Sequence, residues 1–102
     1  MRHKFNAKRT EIDEIKFPSK AEAAYYLKLK SHQEKGDLIF FLRQVPFHLP
    51  GNIRYVVDFI EFWKDGEIIF SDVKGMETSE FITKKKIVES LYPIVLNVVK
   101  KV

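Results

Sequence analysis

Two carboxylates and a lysine lie inside apolar, strand-like sequence, and they are the residues best suited to chemistry. Asp72 and Lys74 end an apolar run that begins at Ile69, and Asp58 lies fourteen residues upstream within a second apolar run. Side chains alternate faces along a strand, so Asp72 and Lys74 share a face. A buried charge costs several kcal/mol unless it is paired, bound to a metal or neutralised. We therefore expect these three side chains to form an active site.

The length of one hairpin loop decides whether the two acids meet. A two-residue loop at 65–66 would send Asp58 to the face opposite Asp72, whereas a three-residue loop at 64–66 sets Asp58 directly across from Asp72. Three-residue hairpin loops usually contain a residue in the left-handed region, most often glycine, and Gly66 fits that place. The sequence favours the three-residue loop, in which Ile60 faces Phe70, Phe62 faces Ile68 and Val56 faces Lys74.

Opposed carboxylates at this position predict a divalent metal site. Their Cβ atoms would lie about 5 Å apart, and two bare like charges there would destabilise the sheet. Carboxylate oxygens with open water positions suit Mg²⁺, and Mn²⁺ can substitute. Such an ion can polarise a phosphodiester, while Lys74 can hold the attacking water or stabilise the developing charge. The alternative is a plain surface pair of Asp72 and Lys74, against which the apolar flanks of both strands argue.

Three further polar residues have both an ordinary and a functional interpretation. Glu22 stands three residues after Ser19 at a helix start, where a capping box explains it fully. It is also placed to be a third acid that reaches the site from the helix. Gln44, in an apolar strand, either lines the site or satisfies backbone groups. His48 has no second histidine at metal-ligand spacing, which favours a surface role.

The basic residues suggest contact with phosphate. Residues 1–9 form a basic N-terminal arm with four cations and no acid, whereas acids and bases balance over residues 10–102, the single predicted domain. A basic arm suits nucleic acid through charge attraction and counterion release. In the run 84–86, Lys85 falls on the inner side of a helix and is the one expected to point toward the site. The predicted DNA-binding residues are Arg2, Lys4, Lys8, Arg9 and Lys85.

Composition and element order predict a small α/β domain. Apolar residues make up 45% of the chain and cysteine is absent, which excludes a disordered chain and a disulfide framework. No apolar run reaches the length of a membrane span, so a cytoplasmic protein is expected. A small hairpin should surround Asp13 and Glu14. The elements then expected are a helix at 19–35, strands at 38–49, 53–63 and 67–73, a helix from 78 or 79 to 92, and a final strand at 94–99. This order predicts a mixed sheet flanked by helices, with the last strand inside it.

These residues resemble the PD-(D/E)xK nuclease superfamily, and more narrowly a family of small bacteriophage endonucleases regarded as Holliday junction resolvase-like. The resemblance covers residues 5–99. Val57 stands where the superfamily's motif has proline before the first acid, a proline that members often lack. It rests on the segments Phe17-Pro18-Ser19-Lys20-Ala21-Glu22-Ala23, Gln44-Val45-Pro46-Phe47, Val57-Asp58-Phe59, Asp72-Val73-Lys74-Gly75 and 80–86.

The resemblance implies a restriction-endonuclease-like αβββαβ core and a metal-dependent DNA endonuclease. It implies that Asp58, Asp72 and the backbone carbonyl of Val73 hold Mg²⁺, that Lys74 positions or activates water, and that Glu22 is the helix acid. Gln44 would lie near the site. The implied reaction leaves 5′-phosphate and 3′-hydroxyl ends. A bacteriophage protein of this kind would act in the cytoplasm of the bacterial host.

The resemblance makes a four-way DNA junction the expected substrate, and because such a junction needs two symmetric nicks, a homodimer is expected. The alternatives are a nicking or repair-type endonuclease of the same fold, acting on duplex or flapped DNA, and a catalytically inert DNA-binding module. A protein with no salt-dependent DNA binding would instead be a structural or partner-binding domain.

Overall fold

Two helices and six strands follow one another in the computed structural model, which describes residues 10–102. The order confirms the predicted succession of hairpin, helix, three strands, helix and strand. The elements are β1 (Thr10–Ile12), β2 (Ile15–Phe17), α1 (Lys20–Lys35), β3 (Leu38–Leu49), β4 (Ile53–Trp63), β5 (Ile68–Val73), α2 (Ser79–Leu91) and β6 (Leu96–Val99).

Local capping fixes where both helices begin. The Ser19 hydroxyl accepts from the backbone N–H of Glu22 at 3.1 Å, and the Thr78 hydroxyl accepts from that of Phe81 at 3.2 Å. Each cap satisfies a donor that the first turn of a helix leaves free, which stabilises a helix by about 1 kcal/mol. Helix α1 ends at Gly36, whose φ of 94° is left-handed and suits a residue without Cβ.

The main sheet has the strand order β3-β4-β5-β6, and β1 pairs with β2 in a separate two-stranded sheet. The first three strands of the main sheet are antiparallel, and β6 returns after α2 to pair in parallel with β5. Strand β3 forms one edge, where Pro46 is tolerated because proline has no N–H to donate to a further strand. The fold is therefore a mixed α/β sheet.

The two helices cover opposite faces of the sheet. Leu29 of α1 packs in a cluster with Phe59 of β4, whereas Val88 of α2 packs in a cluster with the next residue, Ile60. Successive strand residues point to opposite faces, so each helix contributes its own core. Within residues 10–102, neither helix has the length and apolar character that crossing a membrane requires.

The last strand differs from the prediction in its start and its position. It begins at Leu96 rather than at residue 94, and it lies at an edge of the sheet rather than inside it. Val98 packs against the cluster around α2, and Val99 packs against the cluster around α1. Apolar residues on both faces of a strand indicate that both faces are covered by other parts of the protein. They do not report whether a further strand pairs alongside, and that is why the prediction was wrong.

Candidate active site

The β4–β5 hairpin has the three-residue loop that sets Asp58 across from Asp72. Its closing bond runs from the Trp63 N–H to the Glu67 carbonyl at 2.9 Å, and Gly66 has a φ of 94°. The ladder pairs Ile60 with Phe70 and Phe62 with Ile68, as predicted. Strand β5 begins at residue 68, one residue later than expected.

Asp58 and Asp72 occupy the first positions beyond the last paired residues, Phe59 and Ser71. The backbone N–H of Asp58 donates to Oδ1 of Asp72 at 3.0 Å, and the N–H of Val73 donates to Oδ2 of Asp58 at 3.0 Å. Each carboxylate therefore accepts from the opposite strand, in place of a backbone carbonyl. The two acids lie together, and both are buried.

Asp72 has a further donor on the α2 side of the sheet, the buried hydroxyl of Tyr55. Burial raises the pKa of Asp72 above its ordinary value, and the charge of Asp58 adds to this rise. The hydrogen bonds from Tyr55 and from the Asp58 N–H oppose the rise, as does the charge of Lys74. Desolvation prevails because this carboxylate is almost wholly removed from solvent.

Gln44 links Glu22 to Asp58. The Gln44 amide donates to Oε2 of Glu22 at 3.1 Å and to Oδ1 of Asp58 at 3.3 Å. Burial raises the pKa of Glu22 to about 7. The charge of Asp58 raises it next, with a smaller rise from Asp72, whereas Arg43 and Lys74 lower it. Three acids from three different elements thus interact electrostatically at one place.

The capping role of Ser19 is present, but Glu22 does not complete a reciprocal capping box in the described residues. Its N–H donates to Ser19, as any residue at this position of a helix can. Its carboxylate accepts from Gln44 and lies 3.7 Å from the Arg43 guanidinium. The side chain of Glu22 is therefore directed toward β3 and β4 rather than back along its own helix.

Gln44 has a backbone conformation that is unusual within a strand. Its φ is 52°, and the β3–β4 ladder pairs Arg43 and Val45 but omits Gln44. A left-handed conformation costs a residue with a Cβ about 1 kcal/mol or more. The break also exchanges the faces of β3, because Phe41 packs on the α1 side and Val45 packs on the α2 side.

Strand β4 changes face at the same level, next to Asp58. Val57 packs on the α2 side and Phe59 on the α1 side, although residues two apart share a face in a regular strand. The predicted alternation that set Val56 on one face with Asp58 and Ile60 is therefore wrong, and Val56 is exposed. Asp58 lies where the side chains of β3 and β4 exchange faces of the sheet. It can therefore contact Gln44 of β3 on one side and Val73 of β5 on the other.

Lys74 is half-buried beside the acids, and both its backbone and its side chain have contacts. Its backbone N–H donates to the Val99 carbonyl at 3.0 Å, and its Nζ lies 5.4 Å from the centre of the Phe81 ring. Among residues 10–102, no carboxylate lies within 4 Å of this Nζ. Its charge nevertheless lowers the pKa of both Glu22 and Asp72. Lys74 is thus a cation near three acids that is not committed to any one of them.

The remaining predicted residues have other partners or lie outside the described part. Lys85 was expected to point toward the site, but its Nζ is 3.3 Å from Glu89, one turn along α2. The backbone carbonyl of His48 accepts from the Tyr92 hydroxyl at 2.7 Å, and its side chain belongs to an exposed residue. Val73 contributes its N–H to Asp58, while the role of its carbonyl stays a prediction. The arm residues Arg2, Lys4, Lys8 and Arg9 lie outside the described residues.

Sequence reasoning missed two residues that contact the acids, Tyr55 and Arg43. Tyr55 lies in an apolar run, where its ring fits the hydrophobic pattern of a strand. Its chemistry could have revealed its role, because a buried tyrosine hydroxyl needs a hydrogen-bond partner and the nearby acids supply one. Arg43 precedes Gln44 in an otherwise apolar strand, and a charge at such a position carries the same signal as Asp58 does.

Comparison with known proteins places the chain in a family. The family described as protein of unknown function (DUF1064) matches residues 2–101. The chain belongs to the DUF1064 family. No curated protein and no solved structure gave a significant match. The DUF1064 match includes all three acids and Lys74.

A buried carboxylate outside the site of this DUF1064 protein, Glu61, fixes helix α1 to the sheet. Glu61 is 1% exposed and accepts from the Tyr25 hydroxyl at 2.5 Å, the Ser71 hydroxyl at 2.7 Å and the Trp63 indole at 3.0 Å. Burial and the bond to Glu61 raise the pKa of Tyr25. Tyr25 lies one turn after Glu22 on α1. The bond to Glu61 therefore fixes the helix turn that carries Glu22.

The donors of the site fit a divalent cation in their chemistry. They are carboxylate oxygens, and the pKa values of Glu22 and Asp72 are raised by burial and by neighbouring acids, so a positive charge would relieve both. Each carboxylate has about four lone-pair sites, which leaves room for ligation beside the bonds from Gln44, Tyr55 and the backbone. Within residues 10–102, no three carboxylates or histidines already form a metal-holding group. The predicted set is two carboxylates and a backbone carbonyl.

Proposed function

We propose that this protein is a Mg²⁺-dependent, structure-selective DNA endonuclease of the PD-(D/E)xK type, with a Holliday junction as its preferred substrate. The observation that carries the proposal is the joining of Glu22, Asp58 and Asp72 through Gln44 and the end of the β4–β5 ladder. Lys74 lies beside them without a carboxylate partner of its own. Clustered carboxylates can hold a divalent ion and a nearby lysine can position water, and both roles suit metal-assisted phosphodiester hydrolysis.

The arrangement of elements around the acids supports the same proposal. Helix α1 carries Glu22, the β4–β5 hairpin carries the other acids, and α2 leads into a parallel strand. This is the αβββαβ order expected of a restriction-endonuclease-like core. The burial of the acids also argues against an ordinary surface cluster, because ordinary surface carboxylates keep their contact with water.

Asp58, Asp72 and the Val73 carbonyl would hold Mg²⁺, or Mn²⁺ in its place. When bound, the ion supplies positive charge that polarises the phosphodiester and stabilises the leaving oxygen. The chain's own groups orient the reaction. The Tyr55 hydroxyl and the Asp58 N–H fix the Asp72 carboxylate, and Gln44 fixes Glu22 and Asp58 relative to each other. Lys74 can then hold the attacking water and offset the charge that develops on the phosphate.

The proposed substrate is branched DNA, bound mainly through its backbone. The positive charge of the basic arm at 1–9 suits phosphate contacts, which orient a protein on DNA without reading sequence. The products would carry 5′-phosphate and 3′-hydroxyl ends, in the cytoplasm of a bacterial host. Symmetric cutting of a four-way junction requires a homodimer. Edge strand β3 offers exposed apolar surface for pairing at Ile39, Phe40 and Leu42, which are 43–58% exposed.

A panel of branched and linear DNAs tests the proposal. Purified protein with Mg²⁺ should make paired, symmetric cuts in a synthetic four-way junction, and it should leave linear duplex intact. The strand ends should accept ligation directly, because ligase requires 5′-phosphate and 3′-hydroxyl. Nicking of linear or flapped duplex would instead identify a repair-type enzyme. Binding of every DNA without cutting, with Mg²⁺ or Mn²⁺, would identify an inert binding module and contradict the proposal.

A further inference from the structure

Arg43 is a half-buried arginine on β3, next to the acids, and its guanidinium makes no hydrogen bond to the residues between 10 and 102. Its guanidinium carbon lies 4.6 Å from the centre of the Phe17 ring, which fixes the position of the group. Its Nη2 lies 3.7 Å from Oε2 of Glu22. Its Nε is buried and has no hydrogen-bond partner among the described residues. The guanidinium is therefore fixed in position by Phe17, but it lacks hydrogen-bond acceptors among the described residues.

The contact with Glu22 does not account for this arrangement. A separation of 3.7 Å exceeds the range of a hydrogen bond, so the carboxylate attracts Arg43 by charge without occupying a donor. Oε2 of Glu22 is already engaged by the Gln44 amide. Arginine presents five N–H donors in a planar fork that matches two oxygens of a carboxylate or phosphate. The buried Nε fixes the inner edge of the fork, and the 22% of the side chain that stays exposed leaves the outer guanidinium N–H groups to meet an anion.

The position of the fork relates that anion to the active site. Arg43 is adjacent in sequence to Gln44, whose amide contacts both Glu22 and Asp58. Three acids would repel a DNA phosphate, so entry of the phosphate needs cations nearby. Arg43 is such a cation, because its Nη2 lies 3.7 Å from Oε2 of Glu22.

We propose that Arg43 binds a DNA phosphate beside the proposed active site, with two guanidinium N–H groups on its non-bridging oxygens. The inference rests on the proposed function, since it names a positioning residue for that substrate. Arg43 reads no base, which agrees with selection by DNA structure. It differs from a simple counter-ion of Glu22 because its partner is the substrate, at one defined phosphate.

Replacing single phosphates by neutral methylphosphonates tests this inference directly. Binding of a four-way junction is measured with Ca²⁺ to prevent cutting, and the cleavage rate is measured with Mg²⁺. For wild type, one methylphosphonate near the cut should weaken binding or slow cleavage about 10- to 100-fold, the loss of a charge-assisted pair. Arg43→Ala should lose a similar factor on unmodified DNA. In Arg43→Ala, a methylphosphonate at the phosphate that Arg43 contacts should cause no further loss of binding or cleavage. Methylphosphonates at the other phosphates should still weaken the variant as much as they weaken wild type.

Two variants make the result decisive. Arg54→Ala, which removes an exposed arginine of neighbouring strand β4, should keep the full wild-type pattern of sensitivity. Arg43→Gln keeps a side chain over Phe17 without the charge, and it replaces Arg43→Ala if thermal unfolding shows that the alanine variant is unstable. If Arg43 only stabilised the fold, its replacement would lower activity, but the variant would remain sensitive to a methylphosphonate at every phosphate that affects wild type.

The outcomes separate this inference from the proposed function. If both Arg43 variants stay as sensitive as wild type at every phosphate, Arg43 binds none of them and the inference is wrong. If wild type binds the junction without cutting it, the endonuclease proposal fails, and the binding data still decide the role of Arg43. If wild type binds no DNA, both are wrong.

Discussion

Asp58 and Asp72 are linked across the end of the β4–β5 ladder by a bond from the backbone N–H of Asp58 to the Asp72 carboxylate, at 3.0 Å. The Asp58 carboxylate in turn accepts from the residue after Asp72, at 3.0 Å. This exchange fixes both acids by backbone groups, which move less than side chains do. The position of one acid therefore depends on the other. A substitution at a neighbouring residue should shift both carboxylates.

Gln44 provides a test of the strained backbone beside Asp58. Gln44→Ala keeps a Cβ at a φ of 52°, whereas Gln44→Gly removes both the amide and the steric conflict. Because only glycine adopts this conformation without a penalty, Gln44→Gly should be more stable than Gln44→Ala by about 1 kcal/mol. Urea unfolding of the two variants measures the difference. Equal stability, or a more stable alanine variant, would show that the left-handed conformation is not retained at residue 44.

Glu22 should make the stability of the protein depend on pH in a defined direction. Its pKa is about 7 in the folded protein, compared with an ordinary value of 4.5. Between these values the folded protein holds a proton that the unfolded chain has released. The resulting stabilisation is therefore fully present below pH 4.5 and is lost as the pH rises through 7. Urea unfolding without divalent ions should show a falling free energy of unfolding between pH 5 and pH 7.5.

Glu22→Gln is the matched control for this pH dependence. Glutamine has nearly the same shape and does not titrate, so the fall over this range should be smaller than in wild type. Asp72, whose pKa is also raised, would account for part of the fall that remains. An identical pH profile in wild type and Glu22→Gln would mean that Glu22 titrates normally and is not buried among acids.

Glu61 should contribute more to stability than to chemistry. Glu61→Ala would leave the buried donors of Tyr25, Ser71 and Trp63 without their acceptor, and it should cost about 3 kcal/mol or more. Glu61→Gln keeps one acceptor oxygen and should cost less. Thermal or urea unfolding should therefore rank wild type above the glutamine variant and the glutamine variant above the alanine variant. An alanine variant as stable as wild type would contradict the anchoring role of Glu61.

Tyr55 should affect how the proposed site holds its ion. Tyr55→Phe removes the hydroxyl that donates to Asp72 and leaves the ring in the core beside Phe81. Residues that orient a metal-binding carboxylate typically alter metal affinity 10- to 100-fold. The Mg²⁺ concentration for half-maximal cleavage should rise about tenfold in this variant. Tyr92→Phe, whose hydroxyl bonds to the His48 carbonyl instead, is the control and should leave that concentration unchanged.

Local signals allowed much of the fold to be predicted. Ser19, Gly36 and Thr78 mark the helix ends, and Gly66 selects the loop that sets Asp58 opposite Asp72. Each signal acts over a few residues, so tertiary context has little chance to override it. The meeting of Asp58 and Asp72 was therefore a prediction of local geometry, and the observed ladder confirms its register.

The features that were not predicted depend on contacts between distant elements. The exchange of faces at Gln44 and Asp58 occurs in two strands at once, and an alternating pattern in either strand does not reveal it. Lys85 falls on the inner side of a helical projection, but Glu89 one turn later supplies a nearer partner. Arg43 reaches Glu22 only because β3 lies under α1, and sequence spacing carries no information about that contact.

Cleavage of a four-way junction by wild type and Asp72→Asn, as a function of Mg²⁺ concentration, tests the central claim most directly. Asparagine keeps the shape of the side chain but removes the charge that would bind the ion. We predict Mg²⁺-dependent, paired cutting by wild type, and a loss of about a thousandfold or more in the variant with its DNA affinity retained. Cutting by Asp72→Asn at the wild-type rate, or cutting by wild type that persists after chelation of divalent ions, would contradict the account.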